Sequence, residues 1–325
     1  MRVRGILLLV LLCLILTTGC GAGQRMGVNG SAGGGEKGGG AGTTIVEAAT
    51  LESSMEATVG AVEEAGMQQD STAAESAAVN GDEAGSLGEG PFTASPETSG
   101  GTNPNADSIL AVRYGDHEEY ERMVVDFGTG SKPAGGVPEW DLTSPAGDGL
   151  LRVSFPSVSA TGVSDGDLGG GLLEDFHVVR GPEGGMFVDF LATRAFTYRV
   201  LELTDPARLV VDFRPSKMPL GVPLPAEGGK TVLTQPREGA RVGSPLTVSG
   251  YSRNFEAANN IVLTDAGGEV VARKAVQSND WSVTWGYFEC TLNAPYFSGK
   301  GTLRVGSASA RDGSFEGVEI PVRGS

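Results

Sequence analysis

Tyr198-Arg199-Val200-Leu201-Glu202-Leu203 interleaves apolar with polar residues, and Arg208-Leu209-Val210-Val211-Asp212-Phe213 follows it across a short polar break. Such runs suit a half-buried pleated strand, whose side chains point alternately to core and solvent. Runs of the same texture recur from Ile109 onward: Ile109–Tyr114, Met123–Phe127, Leu150–Phe155, Phe176–Val179 and Met186–Leu191. Gly, Pro and Asp clusters separate them, which argues an antiparallel all-β domain. One echo stands out. Arg122-Met123-Val124-Val125-Asp126-Phe127 nearly repeats the Arg208–Phe213 hexamer. Two like strands at the start and end of one domain are expected to lie close in its sandwich.

A joint rich in proline follows, with Pro215, Pro219, Pro223, Pro225 and then Gly228-Gly229. Proline stiffens a connector, so the reading gives the flanking domains a limited set of orientations. A second strand series begins at Thr231: Leu246–Tyr251, Ile261–Thr264, Glu269–Ala275, Tyr287–Leu292, Thr302–Ala308 and Gly317–Val322. Asp265-Ala266-Gly267-Gly268 and Asp312-Gly313 are hairpin-turn signals between such runs. About seven short strands in about 95 residues is the immunoglobulin-like pattern. The fold class expected is therefore all-β, with two β-sandwich domains at 107–214 and 231–325 joined by a 215–230 linker.

Upstream the texture is different. From Gly21 to Ala106 the chain is mostly Gly, Ala, Ser, Thr and Glu, and only Arg25 and Lys37 oppose about a dozen carboxylates. Too few apolar residues are present to bury a face, so 20–106 reads as a disordered tether. As a flexible coil it would average about 50 Å end to end. Before it, Arg2 and Arg4 precede the apolar run Ile6–Leu16, then Thr17-Thr18-Gly19-Cys20. That run is shorter than the ~20 residues of a spanning helix. Positive start, short apolar core and small residues make 1–19 a signal peptide. Gly19-Cys20 resembles a bacterial lipobox, which implies lipid on Cys20 and a place on the outer face of the cell membrane.

The chain of 325 residues carries a net charge of -16, most of it in the tether, and lacks the basic footprint of a nucleic-acid binder. Three cysteines leave no intramolecular disulfide: Cys13 lies in the signal, Cys20 takes lipid, and Cys290 stands alone as a small buried hydrophobe.

Two families are suggested by longer motifs. Val112-Arg113-x-Gly115-x-His117-x-x-Tyr120-x-Arg122-x-Val124-x-Asp126-Phe127 resembles the opening of the actinobacterial AMIN-like domain, and Arg208–Phe213 supports the likeness over 107–214. AMIN domains are small β-sandwiches that target envelope proteins, often by binding peptidoglycan, so the resemblance implies an envelope role. Pro236-x-x-Gly239-Ala240-x-Val242-x-Ser244-Pro245-Leu246-Thr247-Val248-Ser249-Gly250, Phe255-Glu256, Trp285-Gly286-x-Phe288 and Ser309–Ser314 resemble the Gmad2 domain. That immunoglobulin-like module is associated with spore germination, and the likeness implies an extracytoplasmic lipoprotein module.

Catalytic chemistry finds little support. There is no G-x-S-x-G, H-E-x-x-H or Walker loop, and no Cys/His metal spacing. The two histidines, His117 and His177, are placed at or near strand ends as polar contacts. Glu118-Glu119 and Glu174-Asp175 point to opposite faces if extended, which is wrong for acid/base partners. Ser164-Asp165-Gly166-Asp167 reads as a flexible loop rather than a calcium site, since too few oxygen ligands are fixed. No metal or cofactor is expected. Aromatics are the better candidates: Trp281, Tyr287 and Tyr296 for sugar rings, with Trp285 and Phe288 in the core. The leading expectation is a non-catalytic, lipid-anchored protein that binds peptidoglycan or wall polysaccharide. A protein–protein adaptor in a germination or secretion complex is the alternative.

Overall fold

The computed structural model describes residues 90–145, 147–309 and 311–324. The expected signal peptide, the expected lipid site Cys20 and the expected tether up to residue 89 lie outside the described residues.

Twelve strands build the first half: β1 (Glu97–Gly100), β2 (Ser108–Asp116), β3 (Glu121–Thr129), β4 (Lys132–Pro133), β5 (Trp140–Thr143), β6 (Leu150–Phe155), β7 (Ala160–Thr161), β8 (Asp165–Asp167), β9 (Leu173–Arg180), β10 (Met186–Ala192), β11 (Phe196–Leu203) and β12 (Arg208–Pro215). The order β11-β12-β3-β2-β7 forms one sheet, and β1-β5-β6-β10-β9 faces it. Inward positions of the two layers meet as Phe127–Phe155 and Phe190–Phe213, edge to face at 5.0 and 5.7 Å. Such pairs contribute about 0.5–1.5 kcal/mol beyond their buried area. The two echoed hexamers are direct neighbours: β12 pairs antiparallel with β3, setting Asp212 opposite Arg122 and Arg208 opposite Asp126.

The second half contains β13 (Ala226–Gly228), β14 (Thr231–Gln235), β15 (Arg241–Val242), β16 (Leu246–Ser252), β17 (Ala258–Asp265), β18 (Val270–Gln277), β19 (Trp285–Leu292), β20 (Gly299–Ala308) and β21 (Phe315–Gly324). Its layers are β19-β16-β14-β13 and β15-β21-β20-β17-β18. Between them sit Val248, Phe288 and Leu292 from one layer and Ile261, Leu263, Leu303, Val305 and Ile320 from the other. Cys290 is buried in the same core.

Three expectations need correction. Residues 92–106 are not tether: β1 pairs with β5, Thr93 bridges to Tyr198, and Ala106 is fully buried. Composition misled because the two glycines there serve a close approach. A Cβ on Gly100 would stand 2.8 Å from the Trp140 ring, and Gly101 has φ +70°. Likewise Asp165–Asp167 is no loop but the short strand β8, paired with β9.

The third correction concerns the joint. The two sandwiches are not separate, because β9 of the first pairs parallel with β19 of the second through Val179↔Trp285 and Arg180↔Gly286. One sheet therefore runs β1-β5-β6-β10-β9-β19-β16-β14-β13 through both sandwiches. Val179, Phe187, Val232, Tyr251 and Trp285 form a third buried cluster on it. The proline-rich connector is itself tied down, with Gly221 N–H donating to the Gly147 carbonyl at 2.8 Å, and beyond β14 Arg237 pairs with Asp148 at 2.7 Å. Proline stiffness alone would leave a range of orientations. Backbone pairing and a shared core remove that freedom.

Candidate functional site

Beside the seam lies a cleft of about 550 Å³, lined by Asp165, Gly229, Lys230, Arg253, Phe255, Trp281, Ser282 and Trp285. Asp165 comes from the first sandwich and the remainder from the second. A volume of this size falls within the ~300–1,000 Å³ of small-molecule sites.

Two local devices push aromatic rings into it. The first follows β16, where the turn Phe255–Ala257 carries Glu256 at φ 54° and Ala257 at φ 58°. Non-glycine residues seldom adopt this left-handed conformation, so the surroundings must enforce it. Buried Asn254 donates to Thr231 Oγ1 (2.9 Å) and to Asn259 Oδ1 (2.8 Å), while Asn259 donates to the Ala257 carbonyl (3.1 Å). The turn so held leaves Phe255 65% exposed.

The second device is the Asp280 loop. Asp280 accepts from the backbone N–H of Trp281 at 2.6 Å and of Ser282 at 3.0 Å, and from the Thr284 hydroxyl at 2.8 Å. Arg180, at the end of β9, donates to the same carboxylate at 3.2 Å. Burial works against the charge, yet these donors outweigh it and hold the Asp280 carboxyl well below the usual range. Asn279 adds a second tie, donating to the Gly181 carbonyl at 2.8 Å. Gly286 is required here, because a Cβ would stand 2.0 Å from the Asp280 carbonyl oxygen. The loop thus presents Trp281, 39% exposed, with its ring edge to face against Phe255 at 5.2 Å.

Cations flank the aromatic pair. Arg253 Nη1 donates to Ser164 Oγ at 3.0 Å and approaches Asp165 at 3.5 Å, and its Nη2 reaches the Ser282 carbonyl at 3.4 Å. Its backbone N–H donates to the Lys230 carbonyl at 2.9 Å, so the two basic residues are cross-strand neighbours just beyond Thr231↔Ser252. Lys230 is exposed and, among the described residues, has no carboxylate partner. The floor is Trp285, buried against His177 at 4.6 Å, and its indole N–H has no partner among the described residues.

Of the three aromatics expected from sequence, only Trp281 lines the cleft. Tyr287 is half-buried against Phe187, and its hydroxyl donates to Glu289 at 2.6 Å, with burial pushing its pKa up to about 12. Tyr296 is 80% exposed, away from the cleft. The sequence reading missed Phe255 and both cations. Phe255 stood in the quoted family motif, but nothing in the motif says that a left-handed turn expels it.

His177 is not at a strand end. It sits within β9, between Tyr251 (ring centroids 5.3 Å) and Trp285, and burial pushes its imidazole down to about 4. His117 is exposed and stacked on Tyr120 at 4.6 Å. Among the described residues no group of three His, Cys, Asp or Glu side chains could hold a metal. A second groove of about 360 Å³ includes Ser99, Gly100, Glu139 and Trp140, but Trp140 is 4% exposed and offers no ring face.

Residues 231–314 match Gmad2, the immunoglobulin-like domain of bacterial spore germination. The Gmad2 match opens at β14 and supplies Arg253, Phe255 and the whole Trp281 loop. It ends just before β21, the strand that lies between β15 and β20. Arg180 and Asp165, which hold the loop and Arg253 from outside, belong to the part of the chain before the Gmad2 module. No curated protein and no solved structure matches the chain.

Proposed function

We propose that the protein is a non-catalytic, lipid-anchored component of the cell envelope that binds cell-wall material in the cleft beside the seam. The observation that carries this reading is the Phe255–Trp281 pair, two large rings held exposed by strained and heavily bonded backbone. Exposed ring faces take the apolar faces of sugars, while neighbouring polar groups take the hydroxyls. The Gmad2 match and the AMIN-like motif at 112–127 support an envelope setting, and the lipobox-like Gly19-Cys20 supplies the anchor. Co-sedimentation of the full-length protein with isolated cell walls tests the binding. Retention that disappears in Phe255→Ala/Trp281→Ala supports it, and retention equal to that of a non-binding sandwich protein sinks it. Cys20→Ala should release the protein from the membrane fraction; unchanged fractionation would refute the anchor.

A second reading, an adaptor within an envelope protein complex, draws on the open edge of β18. That strand ends its sheet and carries the exposed Val270. An extended partner segment could pair with such an edge. Crosslinking in intact cells discriminates, since recurrent protein partners favour the adaptor and wall fragments alone favour the first reading.

A further inference from the structure

We infer that the cleft selects a carboxylated pyranose, its ring packed on Phe255 and Trp281 and its carboxylate met by Lys230 and Arg253. The inference deepens the wall-binding reading and rests on it for the sugar class. Its own ground is charge. The cleft lining holds two cations and a single carboxylate, Asp165.

That carboxylate does not cancel both cations. Asp165 lies 3.5 Å from Arg253, a long contact between partly exposed groups, and exposed pairs of this kind are weak. Lys230 is free of any carboxylate among the described residues. Asp280 is turned into the loop and saturated by Trp281, Ser282, Thr284 and Arg180. The charged side chains that line the cleft and face a ligand are therefore Lys230 and the exposed side of Arg253; Glu174, Asp175 and Glu227 cluster beside Asp165 without lining it. A neutral sugar would use the rings and leave those cations unanswered. An acidic one answers them, and charge-assisted hydrogen bonds from both cations fix its orientation.

Two sources offer this chemistry: the lactyl carboxylate of muramic acid in glycan strands stripped of the stem peptide that otherwise amidates it, and the uronates of wall polysaccharides. The test uses full-length protein in detergent and three tetrasaccharides of equal length, read by tryptophan fluorescence and calorimetry. One is N-acetylglucosamine alone; the second alternates N-acetylglucosamine with N-acetylmuramic acid; the third alternates it with glucuronate. At least one acidic tetrasaccharide should bind about tenfold more tightly than the neutral one at low salt, with the gap closing as salt rises. Lys230→Gln, an exposed turn substitution, should shrink the preference several-fold, and Lys230→Gln/Arg253→Gln should remove it while ring binding persists. Which acidic arm wins names the source. Equal affinity for all three, or a preference that survives the double substitution, overturns the inference. Wall co-sedimentation is scored separately: retention without acid preference refutes only this inference. Acid preference without wall retention refutes only the wall-binding reading.

Discussion

The two sandwiches use charge in opposite ways. In the first, Asp189 and Asp212 are fully buried, and each is gripped through both oxygens: Asp189 by Arg152, Asp212 by Arg122 and Arg199. Arg152 also lies 3.8 Å over the Phe187 ring, while Arg199 and Arg214 stack on Phe92 at 4.9 and 4.2 Å. Two of its aromatics, Phe187 and Phe92, cover these arginines. The second sandwich has an aliphatic core and an ion pair, Arg304–Glu319, whose side chains are 41% and 58% exposed. Its free aromatics point outward. One half is built to be fixed and the other to be touched, and the fixed half holds the loop of the other through Arg180.

If that contrast is right, Asp189→Ala has the largest effect. It strands half-buried Arg152 without its fully buried partner, at a cost of about 3 kcal/mol, the low end for a broken buried pair. A urea melt of the purified variant reads this, and a loss below about 1 kcal/mol would mean that Arg152 escapes to water.

Acid probes the seam next. His177 is held neutral, at about 4 in the fold against 6.5 ordinarily. A base depressed in this way favours folding fully above pH 6.5. The advantage falls as pH drops from 6.5 to about 4, because the unfolded chain takes the proton first. The loss amounts to about 3 kcal/mol at ~1.4 kcal/mol per unit. Glu227, partly desolvated at the sheet edge and facing Asp175 and Glu174, is pushed up to about 7 and pulls the other way. The measurement is thus a difference: wild-type stability minus that of His177→Gln should slope down between pH 6.5 and 4, and parallel curves refute it.

Gly286→Ala strikes the same seam by crowding, and overpacking of this kind costs about 1–3 kcal/mol. Calorimetry should split one melting transition into two as the sandwiches lose their shared strand pairing. A single unshifted transition would show that the seam contributes little to cooperativity. Smallest of all, Arg304→Ala should change stability by under about 1 kcal/mol, as exposed pairs do. A cost equal to that of Asp189→Ala would erase the distinction between the halves.

Most strands were legible in the sequence: in β3, β5, β19 and β21 one face is less buried and the alternation survives, while β10, buried at every position, shows as a bounded apolar run. So was the pairing of the echoed hexamers, which Asp212 and Arg122 now explain as a cross-strand charge contact. The seam was not. It consists of two residue pairs between segments a hundred residues apart, and Gly286 carries no pattern that announces a neighbour. Residues 92–106 were hidden by their glycines, whose missing side chains are the point of their use. In the cleft, Trp281 could be suspected from the polar Asn279-Asp280 before it. Phe255 could not, since its exposure follows from the backbone angles of the two residues after it.

The continuous sheet also has a mechanical meaning. If the protein is held to a membrane at one end and to the wall at the other, as proposed, it is a member under tension. Load entering at β1 and leaving at the cleft must cross the β9–β19 step, the narrowest stretch of backbone pairing on that route. Were the proposed attachments to carry load, parting of this two-pair step would also withdraw Arg180 from the Trp281 loop, so that the seam and the cleft would fail together.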